Sequence, residues 1–168
     1  TVHAYAKCAR MRGADVIEHN RVLELHWKGD HWQVVTEKGT IKAEHVVNAG
    51  GLWAKQCGHM VGLDLPVSPL EHHYFLTETI PEVAAMDFEL PMTVDLEGFT
   101  YMREDKQGIL VGIYEIDHQH WMMDGARWNY GIELLQEDTD RIERELTMAV
   151  ERYPCLNEVG IENWVNGA

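Results

Sequence analysis

The sequence predicts a mixed α+β and α/β protein, in which a β-meander and one strand-to-helix turn precede a second, largely antiparallel sheet. Three observations carry this. Short alternations of apolar and polar residues, broken by Gly- and Asp-containing turns, recur from Asp15 to Lys42. An apolar run then ends in paired glycines at Val46-Val47-Asn48-Ala49-Gly50-Gly51. Beyond Pro66 the chain becomes extended and aromatic before a long helical period near its end.

Taken in order, Val2, Tyr5, Ala6 and Ala9 share one helical face and Gly13 follows as a left-handed terminus, so residues 2–12 are expected to be helical. Asp15-Val16-Ile17-Glu18 reads as a short strand. Leu23, Leu25 and Trp27 alternate with polar partners as a half-buried strand does, and Gly29-Asp30 supplies a hairpin turn. Trp32 to Thr36 returns, Lys38-Gly39 turns again, and Thr40 to Lys42 gives a third short strand before a buried strand at Val46-Val47. Trp53, Cys57, Met60 and Val61 then fall at helical spacing over 52–61, closed by Gly62 and kept from continuing by Pro66.

The second half opens with an extended segment from Val67 to Thr77 and a loop from Pro81 to Pro91. Thr100 to Arg103 and Ile109 to Gly112 flank Asp105-Lys106-Gln107-Gly108 as a hairpin. Ile142, Leu146, Ala149, Val150 and Tyr153 mark a helix capped by Asp138-Thr139 and ended by Pro154, and Glu158 to Val165 is a final strand.

The 168 residues are 45% hydrophobic and 25% charged, an ordinary globular balance. Against 14 basic residues stand 28 acidic ones, and the net charge of -14 repels phosphate backbones and anionic lipid. No basic patch offsets it, so nucleic acid is not an expected partner. Cys8, Cys57 and Cys155 lack the paired spacing of a zinc or redox motif and are expected to be reduced and partly buried. His118 and His120, with Asp117 and Asp124 nearby, sit in a polar loop and read as solvent-facing, so no metal is expected. No stretch reaches the ~18 apolar residues of a membrane span. Residue 1 is Thr, so no targeting segment is visible and the cytoplasm or the mitochondrial matrix are the compartments expected.

Three segments occur in a fixed order: Val46-Val47-Asn48-Ala49-Gly50-Gly51-Leu52-Trp53-Ala54, Pro69-Leu70-Glu71-His72-His73-Tyr74, and Asp95-Leu96-Glu97-Gly98-Phe99-Thr100-Tyr101-Met102-Arg103. With the closing Val165-Asn166-Gly167, they resemble the dimethylglycine and sarcosine dehydrogenase family, within the larger group similar to D-amino-acid oxidase. The resemblance implies a partial FAD-binding Rossmann-like domain at 1–66, a substrate-binding domain on a mixed, largely antiparallel sheet at 67–154, and a return strand to the FAD-binding domain at 155–168. It also implies that the chain is an internal fragment, inactive alone. The G-x-G-x-x-G loop, a covalently linking His and the final flavin-contacting strand of the family are absent from it.

The same resemblance implies oxidation of a small N-methyl amine by hydride transfer to FAD, with the iminium product hydrolysed or captured by folate in a separate C-terminal domain. Electrons would pass to another flavoprotein, a quinone-linked carrier or oxygen. Ala49, Gly50, Gly51 and Trp53 match the segment beside the flavin, and Val22 matches an adenine-side position. A strand-to-helix turn of any α/β protein, and a core role for Val22, are the plain alternatives.

His72 and Tyr74 alternate onto one strand face, where the matching segment passes the substrate, and His73 faces the other way. Tyr74 would orient the amine and His72 would accept or relay a proton, against the alternative of a hydrogen-bonded core pair. Tyr101 and Arg103 share a face, and Arg103 would clamp the substrate carboxylate unless it is tied up by Glu104 or Asp105. Trp121, Met122, Met123 and Trp128 read as cover for the core or as a pocket lining. A different class remains open, a non-catalytic binding or assembly module built on the same sheet.

Overall fold

The structure, a computed structural model, describes residues 1–131 and 133–168. It divides into two compact units, Thr1–Pro66 and Val67–Ala168. In the first, α1 (Val2–Met11) ends in a Schellman turn: Ala14 N–H donates to the Ala9 carbonyl at 3.1 Å, Gly13 N–H to that of Arg10 at 3.0 Å, and Gly13 takes φ +88°. Three antiparallel strands follow in the order β1 (Val22–Trp27), β2 (Trp32–Thr36) and β3 (Gly39–Ala43). The central strand contributes the buried Val34 and Thr36, whereas Leu23 and Trp27 of β1 are exposed. A register shift between Val22 and Glu24 interrupts the alternation expected of that strand.

Two expected strands do not form. Asp15–Glu18 is irregular, and Arg10 donates to its Val16 carbonyl at 3.2 Å and to the Glu18 carboxylate at 2.9 Å. Val46-Val47 finds no partner strand among the described residues, and Val47 is 86% exposed. The helix expected over 52–61 is present as a 3₁₀ turn, Gly51–Trp53, leading into α2 (Ala54–His59). A second Schellman turn at Gly62 (φ +78°) closes it. Cys8 and Cys155 are exposed and Cys57 is half-buried, so only the last fits the partial burial expected of the cysteines.

The second unit is a five-stranded sheet crossed by a helix. Its strands β4 (His72–Thr77), β5 (Thr93–Asp95), β6 (Thr100–Asp105), β7 (Gly108–Ile113) and β8 (Ile161–Gly167) lie in the order β5-β6-β7-β4-β8, and every ladder is antiparallel. The hairpin of β6 and β7 turns at Lys106, whose φ is +57°. The loop read from Pro81 contains a one-turn helix, α3 (Pro81–Ala84), begun by proline at its first position.

Helix α4 (Glu143–Arg152) covers one sheet face, where Phe75, Ile109, Val111 and Ile113 pack with Ile142 and Ala149. Asp138 does not cap α4 itself. Its carboxylate accepts from Arg141 N–H at 3.3 Å, which heads the preceding turn. The last strand, Ile161–Gly167, hydrogen-bonds along β4 as the sheet's outer strand.

Candidate functional site

Alternation along β4 sorts its side chains onto two faces. His73, Phe75 and Thr77 are buried on the helix-covered face, and His72 and Tyr74 stand on the opposite, open one. Register then builds a row across three strands, since Tyr74 pairs with Gly112 and Gly112 with Tyr101. Tyr114, next on the same face after β7, completes the cluster. Its ring centroid lies 5.4 Å from that of Tyr101 and 6.2 Å from that of His72.

A cavity of about 500 Å³ opens on this face, lined by Leu70, His72, Tyr74, Tyr101, Val165, Gly167 and Ala168. No Asp, Glu, Lys or Arg is among the lining residues. Burial, then the neighbouring Tyr114 and Tyr74, push the Tyr101 phenol above its ordinary value against the opposing charge of Arg103. Tyr101 is therefore a neutral hydroxyl at physiological pH, able to donate a hydrogen bond.

Three of the four residues read in the sequence as catalytic or substrate-binding, His72, Tyr74 and Tyr101, thus meet at one cavity. Arg103 does not line it. Its guanidinium donates to the Glu104 carbonyl at 2.8 Å and pairs with Asp105 at 3.1 Å, with 48% of the side chain exposed. Trp121 packs against Tyr130 at 4.7 Å, and neither it, Met122, Met123 nor Trp128 lines the cavity. His118 and His120 meet edge to face at 5.6 Å, and His120 hydrogen-bonds Ser68 at 3.0 Å. Among the described residues no group of three or more His, Cys, Asp or Glu is placed to hold a metal.

Behind the open face lies a buried polar network that periodicity alone did not disclose. Glu115 accepts from the backbone N–H and from Nδ1 of His73, both at 2.7 Å, and from Nη1 of Arg141. Asp138 N–H donates to His73 Nε2 at 3.1 Å, which assigns the ring proton to Nδ1 and leaves the imidazole neutral. Arg141 reaches on to Glu71 at 3.3 Å, and Asn166 Nδ2 donates to the same Glu71 oxygen at 3.0 Å.

Burial alone would lower the Arg141 guanidinium. The hydrogen bond and charge of Glu115, with help from Asp138 and Glu71, outweigh it and hold the group above its ordinary value. His72 Nδ1 stands 4.0 Å from Glu115 Oε1, the oxygen that accepts from His73, so the network borders the cavity through that ring. The available signal was parity: Glu71 and His73 fall on the face opposite His72 and Tyr74, and two polar residues on a covered face require partners.

In the first unit, Asn48 builds the glycine turn. Its Oδ1 accepts from Gly50 N–H at 3.1 Å and its Nδ2 donates to the Ala54 carbonyl at 2.8 Å. Gly51 adopts φ +53° and a Cβ there would meet nothing within 4 Å, whereas one on Gly50 would crowd Asn48, Ala54 and Cys57 at 3.0–3.2 Å. Ala49 and Gly51 are exposed, and Gly50, Trp53 and Val22 are half-buried. The turn therefore presents bare backbone with open space before it, the form of surface that a dinucleotide cofactor needs for close approach.

The chain resembles known proteins throughout its length. The sequence model described as DAO, FAD dependent oxidoreductase, matches residues 1–167. Mitochondrial dimethylglycine dehydrogenase of Mus musculus is 43% identical over 98% of this chain, and mitochondrial sarcosine dehydrogenase of Mus musculus 30% identical over 99%. The chain spans 20% and 18% of their lengths, respectively. The crystal structure of L-proline dehydrogenase from P. horikoshii superposes with a TM-score of 0.73 at 22% identity, over 98% of this chain and 41% of that one, which establishes the shared fold. On this match the chain belongs to the DAO-type family of FAD-dependent oxidoreductases.

Proposed function

We propose that this chain is a segment of a flavoenzyme that oxidises a small N-methyl amine such as dimethylglycine or sarcosine, and that the segment alone is inactive. The observation that carries this reading is the tyrosine- and histidine-lined cavity on the open sheet face, with no Asp, Glu, Lys or Arg in its lining, in a chain 43% identical to a dimethylglycine dehydrogenase. Bound FAD would supply the chemistry of electron acceptance, taking a hydride from the N-methyl carbon. The exposed backbone of Ala49 and Gly51, with the half-buried Gly50, Trp53 and Val22, would hold the cofactor.

Within the cavity the residues divide the work by chemistry. Tyr101, kept protonated, donates to a ligand lone pair, and Tyr74 in the same row orients the amine. His72, exposed to the cavity, accepts or relays the proton that an ammonium must lose before it yields a hydride equivalent. Leu70 and Val165 exclude water from the apolar methyl groups. Arg103 would reach a substrate carboxylate only after leaving Asp105. Folate capture of the product, an electron acceptor outside the chain and residence in the mitochondrial matrix complete the reading, the last supported by the mitochondrial relatives.

The test is anaerobic mixing of the full-length protein with dimethylglycine or sarcosine while flavin absorbance is followed. Bleaching at a rate that falls in His72→Ala and Tyr101→Phe is expected. A flavin that no N-methyl amine reduces, or an oxidised spectrum missing altogether, refutes the reading.

A further inference from the structure

Each residue of the Tyr74–Gly112–Tyr101 row is set by register, yet only its central member lacks a side chain. A Cβ built on Gly112 would stand 1.8 Å from Cζ, 2.2 Å from Cε1 and 2.3 Å from the hydroxyl oxygen of Tyr101. All three nearest atoms belong to one ring, and to its phenol end. The ring therefore lies across the Gly112 backbone, with its hydroxyl over the middle of the row. Gly112 is outside the left-handed region, so its backbone would accept any residue. What demands glycine there is the tyrosine above it.

We propose that Gly112 is a positioning residue, the seat on which the Tyr101 ring rests and which fixes where its hydroxyl stands in the cavity. Its bearing on catalysis rests on the amine-oxidising reading above. The neighbouring strands are held on both sides by β-ladders, so a methyl group at 112 cannot be absorbed by moving the sheet, and the ring must rotate away. That carries the hydroxyl off the row by more than the ~1 Å misplacement that costs on the order of 100-fold in rate at a reacting centre. Nothing else within the three closest contacts would resist the substitution.

The experiment places 3-fluorotyrosine at position 101 of the full-length protein and follows its ¹⁹F resonance with pH, with and without Gly112→Ala. The resonance is expected to titrate above free 3-fluorotyrosine when residue 112 is Gly and to move toward the free value in the variant. Identical shifts and midpoints in both overturn the proposal. Because Gly112→Ala alone can fail to fold, the same substitution is made in a Tyr101→Ala background, where its stability cost is expected to vanish. An equal cost in both backgrounds also overturns it. Amine turnover is read separately: if no amine is oxidised while the ¹⁹F midpoint still follows residue 112, the substrate assignment falls and the seat stands.

Discussion

Arg141→Met tests whether the buried network behind the open face is held by its one cation. The side chain of Arg141 is 9% exposed and meets Glu115 at 1% exposed and Glu71 at 16%, with Asp138 at the wet end at 47%. Methionine keeps the aliphatic volume and removes the charge. Breaking a buried ion pair by removing one partner costs about 3–5 kcal/mol, because the other charge stays in place without compensation. Glu115 retains its two hydrogen bonds from His73 and Glu71 retains Asn166, so the lower end of that range, about 3 kcal/mol, is expected. Asp138 is too exposed to add to it. At a urea slope of about 2 kcal/mol/M the midpoint moves down by about 1.5 M. Adding Glu115→Gln to the variant removes the stranded charge and should recover at least about 1 kcal/mol, a coupling read from the double-mutant cycle. A single variant that unfolds within about 0.5 kcal/mol of the unchanged protein would refute the reasoning.

The two adjacent histidines should separate cleanly. His73→Ala, which empties a fully buried position, takes one of its hydrogen bonds from Glu115 and leaves Asp138 N–H without its acceptor, should cost about 2–3 kcal/mol in denaturant unfolding, whereas His72→Ala at a cavity wall should cost under about 0.5 kcal/mol while slowing turnover. Equal stability losses would contradict the two-face assignment. For pH, the Tyr101 phenol ionises above 10.0 in the folded state, so its contribution to stability is complete below that ordinary value and is lost as pH rises through the higher, folded one. Tyr101→Phe should flatten that part of the alkaline stability curve, and a curve unchanged by the substitution would show that Tyr101 is not the group responsible.

The elements with strong local periodicity were legible in the sequence. Gly13 and Gly62 end their helices, the meander turns at its glycines, and Pro154 stops α4, because each of these is decided within a few residues. Val46-Val47 misled because an apolar pair states a preference for burial but not whether a neighbouring strand exists to satisfy it. The candidate site was legible as far as strand parity carried it, which grouped His72 with Tyr74 and set His73 apart. Its depth was not, since Glu71, Glu115, Arg141 and Asn166 are brought together by pairings across as many as 95 positions, and no local pattern encodes them. In the sequence Gly112 is no more than the end of the strand from Ile109, and only the register that places Tyr101 over it gives it meaning.

The strand order β5-β6-β7-β4-β8 also constrains the route by which the sheet assembles during synthesis. The β6–β7 hairpin closes through neighbours and should form early, and β4, made before it, must wait for β7 to supply a partner on one side. Its other side stays bare until Ile161–Gly167 has left the ribosome. A nascent chain stalled near residue 160 thus carries an open hydrogen-bonding edge along His72–Thr77, the kind of template on which chains aggregate. Chaperone demand for this segment should therefore peak just before its last strand emerges.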